Sequence, residues 1–181
     1  MSAKRLFVSI ELPRSIGQRL AELDPHLRGV RWLAPEQMHL TLSFLGSVPE
    51  DVGEKLKTNL AAFQWKAFFL PLTGFGAFPG KGRPNVIWIG VGSGHPHLFQ
   101  LHKRVQEAAL AAGLEPDLRS FHPHVTVARC RDVSPEVIRP FLKAPAGFDA
   151  GMIHVESFSL NSSELAPAGS VYTPELVVRP K

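Results

Sequence analysis

The chain of 181 residues is 44% hydrophobic and 20% charged, which is an ordinary balance for a globular protein. The length predicts one domain, and the composition excludes an intrinsically disordered chain. Twenty Lys and Arg against sixteen Asp and Glu give a net charge of +4. This charge suits an anionic ligand such as nucleic acid, without the long basic runs of a nonspecific DNA-binding protein.

No stretch of the sequence predicts a membrane span or a secretory signal. The uncharged run between Lys66 and Lys81 contains two prolines and three glycines, whereas a spanning helix needs about 20 apolar residues. The apolar stretch at residues 6–10 is shorter than the signal-peptide core of about 7 to 15 residues. Cys130 is the single cysteine, so no internal disulfide can form. We therefore expect a cytoplasmic protein.

Hydrophobic periodicity predicts alternating strands and helices in the first half of the chain. Residues 39–44 alternate polar and apolar side chains throughout, which is typical of a strand with one buried face. The glycine-rich segment 74–84 is predicted to be a loop between two strands. The other predicted elements are strands at 5–10, 68–72 and 86–91 and helices at 16–23 and 52–63.

The second half predicts a similar order of elements. Apolar residues at helical spacing indicate a helix at 98–113, and alternation indicates a strand at 124–127. A short helix at 135–142 and two late strands, at 152–160 and 171–178, complete the chain.

A histidine and a threonine two residues apart occur in both halves. Residues 39–42 read His-Leu-Thr-Leu and residues 124–127 read His-Val-Thr-Val, each in a predicted strand. A single His-x-Thr is most often a structural feature, because short motifs recur by chance. Two copies in matching strands indicate an internal duplication of one structural unit.

The duplicated motif can carry acid-base chemistry. Residues i and i+2 of a strand share a face, so His39 lies beside Thr41, and His124 beside Thr126, away from the buried apolar residues. If the two strands are neighbours, two imidazoles and two hydroxyls face one cleft. Because the ordinary histidine pKa is about 6.5, one ring can act as base and the other as acid on a phosphate ester. Neither a metal nor a covalent intermediate is required.

Further segments accompany the two motifs along nearly the whole chain. They are Arg-Leu-Phe-Val-Ser-Ile-Glu-Leu-Pro at 5–13, Arg-Trp at 31–32, Phe-Leu-Gly at 44–46, Phe-Gly-Ala-Phe-Pro at 75–79, Val-Ile-Trp at 86–88, Ala-Arg at 128–129 and Gly-Ser-Val-Tyr at 169–172. With these segments the sequence resembles the RNA 2′,3′-cyclic phosphodiesterases, also called 2′-5′ RNA ligases, of the two-histidine phosphoesterase superfamily.

The resemblance implies a bilobal α+β fold, with two pseudo-symmetric antiparallel sheets, helices on the outside and a central cleft that carries both His-x-Thr motifs. It implies one two-lobed domain over residues 1–181. The implied reaction is hydrolysis of an RNA-terminal 2′,3′-cyclic phosphate to a 2′-phosphomonoester without metal or other cofactor, and in some members the reverse 2′-5′ ligation. The implied partners are RNA ends or small cyclic-phosphate nucleotides. Because one chain holds a complete catalytic set, we expect a monomer.

The resemblance also assigns roles to residues. His39 matches the general acid of the family and His124 its general base, while Thr41 and Thr126 match phosphate donors. Arg129 matches a phosphate-contacting arginine. Strict alternation from His124, however, would place Arg129 on the opposite face of the strand, so this role needs a bulge or a strand end.

Two alternative functions remain open at this point. Another branch of the superfamily would use the same groups on ADP-ribose cyclic phosphate or 2′-5′ oligoadenylate. A noncatalytic RNA-end-binding protein would use the histidines only as hydrogen-bond donors. A metal site at the His-x-His pairs 95–97 and 122–124 is not expected, because a proline separates each pair and no Cys or acidic cluster stands beside them.

Several other side chains are candidates for RNA contacts. Lys81 and Arg83 could follow the RNA backbone, as basic residues do in single-strand binding. One or two of four aromatic residues are expected to line the cleft and stack a base: Trp32, Phe78, Phe121 and Tyr172.

Overall fold

The computed structural model describes residues 2–93, 95–143 and 148–181. In these residues the helices are α1 (Arg14–Ala21), α2 (Glu50–Ala62), α3 (Pro96–Ala111) and α4 (Pro135–Lys143), with a short 3₁₀ helix at Pro35–Gln37. The strands are β1 (Ala3–Glu11), β2 (Val30–Trp32), β3 (His39–Pro49), β4 (Phe68–Thr73), β5 (Phe75–Phe78), β6 (Val86–Gly90), β7 (His124–Cys130), β8 (Asp149–Val155), β9 (Phe158–Ala166) and β10 (Gly169–Val178). None of the described helices is both long and apolar enough to cross a bilayer.

The strands form two antiparallel sheets. The larger sheet has the order β10-β9-β1-β3-β7-β6-β5, and β2 pairs with the last residues of β7 on the edge opposite to β6, beyond the contact with β3. The smaller sheet pairs β4 with β8. The two parts of the large sheet, β10-β9-β1-β3 and β7-β6-β5, meet where β3 lies beside β7, and that contact contains a single register pair, Leu40 with Val125. The predicted α+β class with two antiparallel sheets is confirmed.

The helices cover the side of the sheet that carries the apolar residues. Helices α2 and α3 pack against each other and against β3, and α4 lies beside β5. In α2, Leu56 and Leu60 are fully buried because residues four apart share one helix face. One cluster of buried side chains contains residues of both halves, including Leu40 and Val125 at the seam.

The single strand predicted at 152–160 is wrong. The structure ends β8 at Val155 and begins β9 at Phe158, and these two strands belong to different sheets. Residues 158–162 are all buried, because β9 lies between β1 and β10 and is covered on both faces at this end. Residues typical of strands stand on both sides of Glu156 and Ser157, so the local pattern concealed the crossing from one sheet to the other.

The loop predicted at 74–84 is also partly wrong, because it begins with strand β5. Gly74, with φ of +80°, turns the chain between β4 and β5, a conformation that glycine adopts without steric cost. In the β5–β6 ladder Gly76 lies opposite Trp88. A Cβ atom at Gly76 would come within 2.2 Å of the Trp88 indole, so glycine here provides room for that ring.

This contact predicts the effect of adding one methyl group. We expect Gly76→Ala to lower the free energy of unfolding by about 1–3 kcal/mol, because the indole of Trp88 must leave its position. Urea denaturation of the variant and the parent protein measures the difference. Gly80→Ala is the matched control in the same segment, since a Cβ there has no atom within 4 Å. Equal stability of the two variants would contradict this account of Gly76.

Candidate active site

The two His-x-Thr motifs lie side by side on β3 and β7. Leu40 and Val125 are register partners and are fully buried. Counting one residue from this antiparallel pair places His39 opposite Thr126 and His124 opposite Thr41. Partners in an antiparallel ladder point to the same side, and neighbours along a strand point to opposite sides. The four polar side chains therefore share the face opposite to Leu40 and Val125, as the sequence predicted.

Strand β7 contains the bulge that the role of Arg129 requires. Its register against β6 shifts by one residue between Thr126 and Ala128, which leaves Val127 as an extra residue. Val127 and Ala128 are consecutive and both buried, so the alternation of faces restarts there. Arg129 is exposed and lines the same cavity as His39. The bulge thus brings Arg129 to the histidine face.

Strand β3 has the same irregularity at the equivalent place. Its register against β1 shifts between Thr41 and Ser43, and Leu42 and Ser43 are consecutive buried residues. The alternation at 39–44 would have put Phe44 on the buried face, but its side chain is 62% exposed. Phe44 holds the position in β3 that Arg129 holds in β7. The duplication was the signal that could have revealed it, because a bulge inferred in one copy predicts a bulge in the other.

The carbonyl groups of the two bulges have different partners. The Leu42 carbonyl accepts a hydrogen bond from Nδ1 of His102 on α3, at 2.7 Å. The Val127 carbonyl accepts one from the backbone N–H of Leu33, which follows β2, at 2.8 Å. Since a bulge removes ladder partners, these bonds compensate for the loss. The two halves thus stabilise the same distortion with different elements.

His39 lies half-buried between two aromatic rings. Its ring centroid is 5.0 Å from that of Phe7 and 5.1 Å from that of Tyr172. Burial lowers the pKa of His39 from 6.5 to about 4, opposed by a hydrogen bond to the Gln37 backbone and reinforced by the positive charge of Arg129. In the protein without bound anion, His39 is therefore neutral at pH 7.

His124 has a parallel but less buried environment. Its ring lies 5.0 Å from Phe78 and 6.1 Å from Trp88, centroid to centroid. Burial lowers its pKa, and the hydrogen bond to the His122 carbonyl opposes this shift. Nδ1 donates that bond, at 2.5 Å. The neutral ring then carries its proton on Nδ1 and leaves Nε2 as a proton acceptor.

Two adjacent cavities flank the seam, each with one of the histidines. The cavity of about 560 Å³ on the His39 side also contains Phe44, Tyr172 and four arginines, at positions 5, 31, 119 and 129. The cavity of about 520 Å³ on the His124 side is mainly aromatic and contains Phe78, Trp88 and Phe121. Within the described part of the chain, the hydroxyls of Thr41 and Thr126 have no hydrogen-bond partner. They can donate to a bound anion.

Three of the four candidate aromatics line these cavities, instead of the one or two expected. Phe78 and Phe121 lie on the His124 side and Tyr172 on the His39 side. Trp32 does not reach either cavity, because its indole N–H donates to the Leu20 carbonyl at 2.9 Å and its ring packs on Phe141.

Three other candidates lie outside the walls of these two cavities, whereas His95 and His122 line the cavity on the His124 side. Lys81 and Arg83 are exposed, and Arg83 is 3.7 Å from a carboxylate oxygen of Asp132. His97 stacks on Phe68, with ring centroids 5.9 Å apart. In residues 2–93, 95–143 and 148–181, no cluster of three or more His, Cys, Asp or Glu has an arrangement that could hold a metal ion.

Comparison with known proteins identifies relatives of this chain. A protein called RNA 2′,3′-cyclic phosphodiesterase from Archaeoglobus fulgidus is 33% identical over 171 residues, which cover 93% of this chain and 96% of the relative. One of the same name from Escherichia coli is 32% identical and covers 94% and 93%.

Solved structures agree with these matches. The crystal structure of Escherichia coli LigT without ligand superposes with a TM-score of 0.82 at 25% identity, covering 100% of this chain and 99% of that one. The same protein complexed with 3′-AMP gives a TM-score of 0.80 at 26% identity. The sequence model of the LigT-like phosphoesterases matches residues 10–88 and 89–172, so that each stretch contains one His-x-Thr motif. This chain therefore belongs to the LigT-like phosphoesterase family.

Proposed function

We propose that the protein hydrolyses the 2′,3′-cyclic phosphate at an RNA end to a 2′-phosphomonoester, without a metal ion, and that it can also join this end to the 5′-hydroxyl of a second RNA by 2′-5′ ligation. The arrangement of His39, Thr41, His124 and Thr126 on one face of the β3–β7 seam carries this proposal. The names of the curated relatives and the 3′-AMP complex of the Escherichia coli protein support a nucleotide phosphoester as substrate.

The positions of the four groups suit in-line displacement at phosphorus. In the β3–β7 register the histidines occupy diagonal positions, and the threonines occupy the other diagonal. Diagonal neighbours across an antiparallel pair are about 7–8 Å apart, which leaves room for a phosphate group between the two rings. One ring can then approach the attacking oxygen while the other approaches the leaving oxygen on the opposite side.

The threonine hydroxyls and Arg129 would stabilise the phosphate oxygens. Thr41 and Thr126 face the phosphate from the two strands, and their hydroxyl groups donate to its non-bridging oxygens. The guanidinium of Arg129, which the β7 bulge places on this face, adds a charge-assisted hydrogen bond. These three donors act where negative charge increases in the pentacoordinate transition state.

His124 is the proposed general base. Its Nδ1–H is held by the His122 carbonyl, so Nε2 is free to remove a proton from water or, in ligation, from the attacking 5′-hydroxyl of a second RNA end. Burial favours the neutral form of its ring, which is the form a base needs.

His39 is the proposed general acid. In this role its imidazole must take up a proton when the substrate binds. The lowered pKa of His39 by itself favours a neutral ring, which would suit a base. A bound cyclic phosphate is an anion, and its charge raises the pKa of a nearby imidazole and offsets that of Arg129. Water then attacks phosphorus, the bond to the 3′-oxygen breaks, and His39 protonates that oxygen.

Substrate choice and the removal of either histidine test the proposed function. Among an RNA oligonucleotide with a cyclic-phosphate end, ADP-ribose cyclic phosphate and a 2′-5′ oligoadenylate, we expect the RNA end to be consumed fastest, at an unchanged rate with EDTA. His39→Ala and His124→Ala should each lower kcat by about 10²- to 10⁴-fold, because acid-base catalysis contributes that much.

The control for these variants is His154→Ala, at an exposed histidine of the small sheet. It should leave kcat unchanged, and circular dichroism should show that all three variants are folded. Near-normal turnover by either active-site variant would exclude the mechanism, and binding of RNA ends without consumption would favour the noncatalytic alternative. Loss of activity in EDTA that a divalent ion restores would contradict metal independence.

The assignment of acid and base predicts which ester bond breaks. If His39 protonates the leaving oxygen at the 3′ position, the product carries a 2′-phosphate beside a free 3′-hydroxyl. Proton-coupled phosphorus NMR of the product from a cyclic-phosphate dinucleotide identifies the position of the phosphate. A dominant 3′-phosphate would mean that the roles of His39 and His124 must be exchanged, in line with the lower pKa of His39.

The buried neutral His39 predicts how stability depends on pH. Unfolding returns its pKa from about 4 to 6.5, so between these values the unfolded state binds more protons and acid destabilises the fold. The full difference corresponds to about 3 kcal/mol, lost as the pH falls from 6.5 to 4. In urea denaturation at pH 7 and pH 4.5, His39→Gln should show a smaller loss on acidification than the parent protein. Identical losses would show that His39 is not held neutral by burial.

A further inference from the structure

We propose that Arg31, beside Arg129, forms a second anion subsite, which binds the phosphodiester on the 5′ side of the cyclised nucleotide. The inference rests on the proposed function and adds a preference to it. The protein would then act on RNA ends in preference to cyclic mononucleotides.

The position of Arg31 is the first observation. In the short β2–β7 ladder, Arg31 is the register partner of Arg129, and both side chains are exposed and line the cavity that contains His39. Directly opposite residues in an antiparallel pair have Cβ atoms about 4.5–5.5 Å apart, and like charges there are destabilising. No ion pair among the described residues includes either arginine. A second anion bound at Arg31, next to the phosphate at Arg129, would offset this repulsion.

The charge of the whole cavity is the second observation. It contains four arginines, and of these only Arg119 has a carboxylate partner in the described structure, Asp117, at 2.9 Å. No Asp or Glu is among the described residues that line it. A cyclic phosphate has one negative charge, and in the proposed function Thr41, Thr126 and Arg129 donate hydrogen bonds to it. The remaining positive charge indicates that the cavity accommodates a second phosphate.

The local structure holds Arg31 in place. The next residue, Trp32, is fixed on the opposite face by its hydrogen bond to the Leu20 carbonyl and by its contact with Phe141. On the cavity side, a Cβ atom at Gly169 would lie 3.4 Å from Nη1 of Arg31, so the guanidinium extends across the turn between β9 and β10. A positioned, planar guanidinium is suited to binding two oxygens of one phosphodiester.

Three substrates test the subsite: a 2′,3′-cyclic mononucleotide without a 5′-phosphate, a dinucleotide with the same cyclic end, and that dinucleotide with an uncharged methylphosphonate linkage. For the parent protein, we expect kcat/KM for the natural dinucleotide to exceed that for the methylphosphonate by about 10- to 100-fold, as for a charge-assisted hydrogen bond. Arg31→Gln should abolish this difference and leave kcat/KM for the mononucleotide within about twofold.

Two further variants control for charge and for geometry. Arg28→Gln removes the same charge from an exposed position that lies outside the cavity, and it should preserve the preference for the natural linkage. Arg31→Lys retains the charge without the planar fork and should restore the preference in part. An equal loss for all three substrates in Arg31→Gln, or no loss for any, would overturn the subsite. If the parent protein consumes none of the substrates, the proposed function itself is wrong.

Discussion

The site depends on one contact, the pairing of Leu40 with Val125 where β3 meets β7. Both side chains are fully buried, and their burial fixes the register of the two motif strands. Because side chains alternate along a strand, a slip of one residue in either strand would turn its histidine and threonine toward the core. The apolar residues between the polar ones thus determine the geometry of the two histidines and two threonines. The helices and outer strands hold this narrow seam between the two halves.

The two bulges bring further side chains to the face that carries the histidines and threonines. A regular strand offers one residue in two to the cleft, so it can present His39 and Thr41 but must bury the residue five positions after the histidine. The extra residue in each strand reverses the faces and brings Phe44 and Arg129 outward. The same distortion in both copies shows that the duplicated unit includes the backbone irregularity, although the bulge carbonyls now bond to different elements.

The two motif strands share the same backbone irregularity, but they present different side chains to the cleft. At equivalent positions one half presents the positive charge of Arg129 and the other the exposed ring of Phe44. Both imidazoles lie beside aromatic rings, and burial lowers the pKa of each, more strongly for His39. The cationic side of the cleft is therefore suited to phosphate groups and the aromatic side to apolar or stacking contacts. This asymmetry gives the two histidines different surroundings.

The sequence by itself determined the four catalytic candidates and the strands that carry them, because a period of two relates side chains within one strand without knowledge of its neighbours. It also indicated that the phosphate-contacting role implied for Arg129 needs a bulge or a strand end. Only the tertiary structure decided the outward position of Phe44, the separation of β8 from β9, and the pairing of Arg31 with Arg129. Each of these depends on which strands pair and in what register. Strand pairing joins residues far apart in the chain, and local periodicity contains no information about such partners.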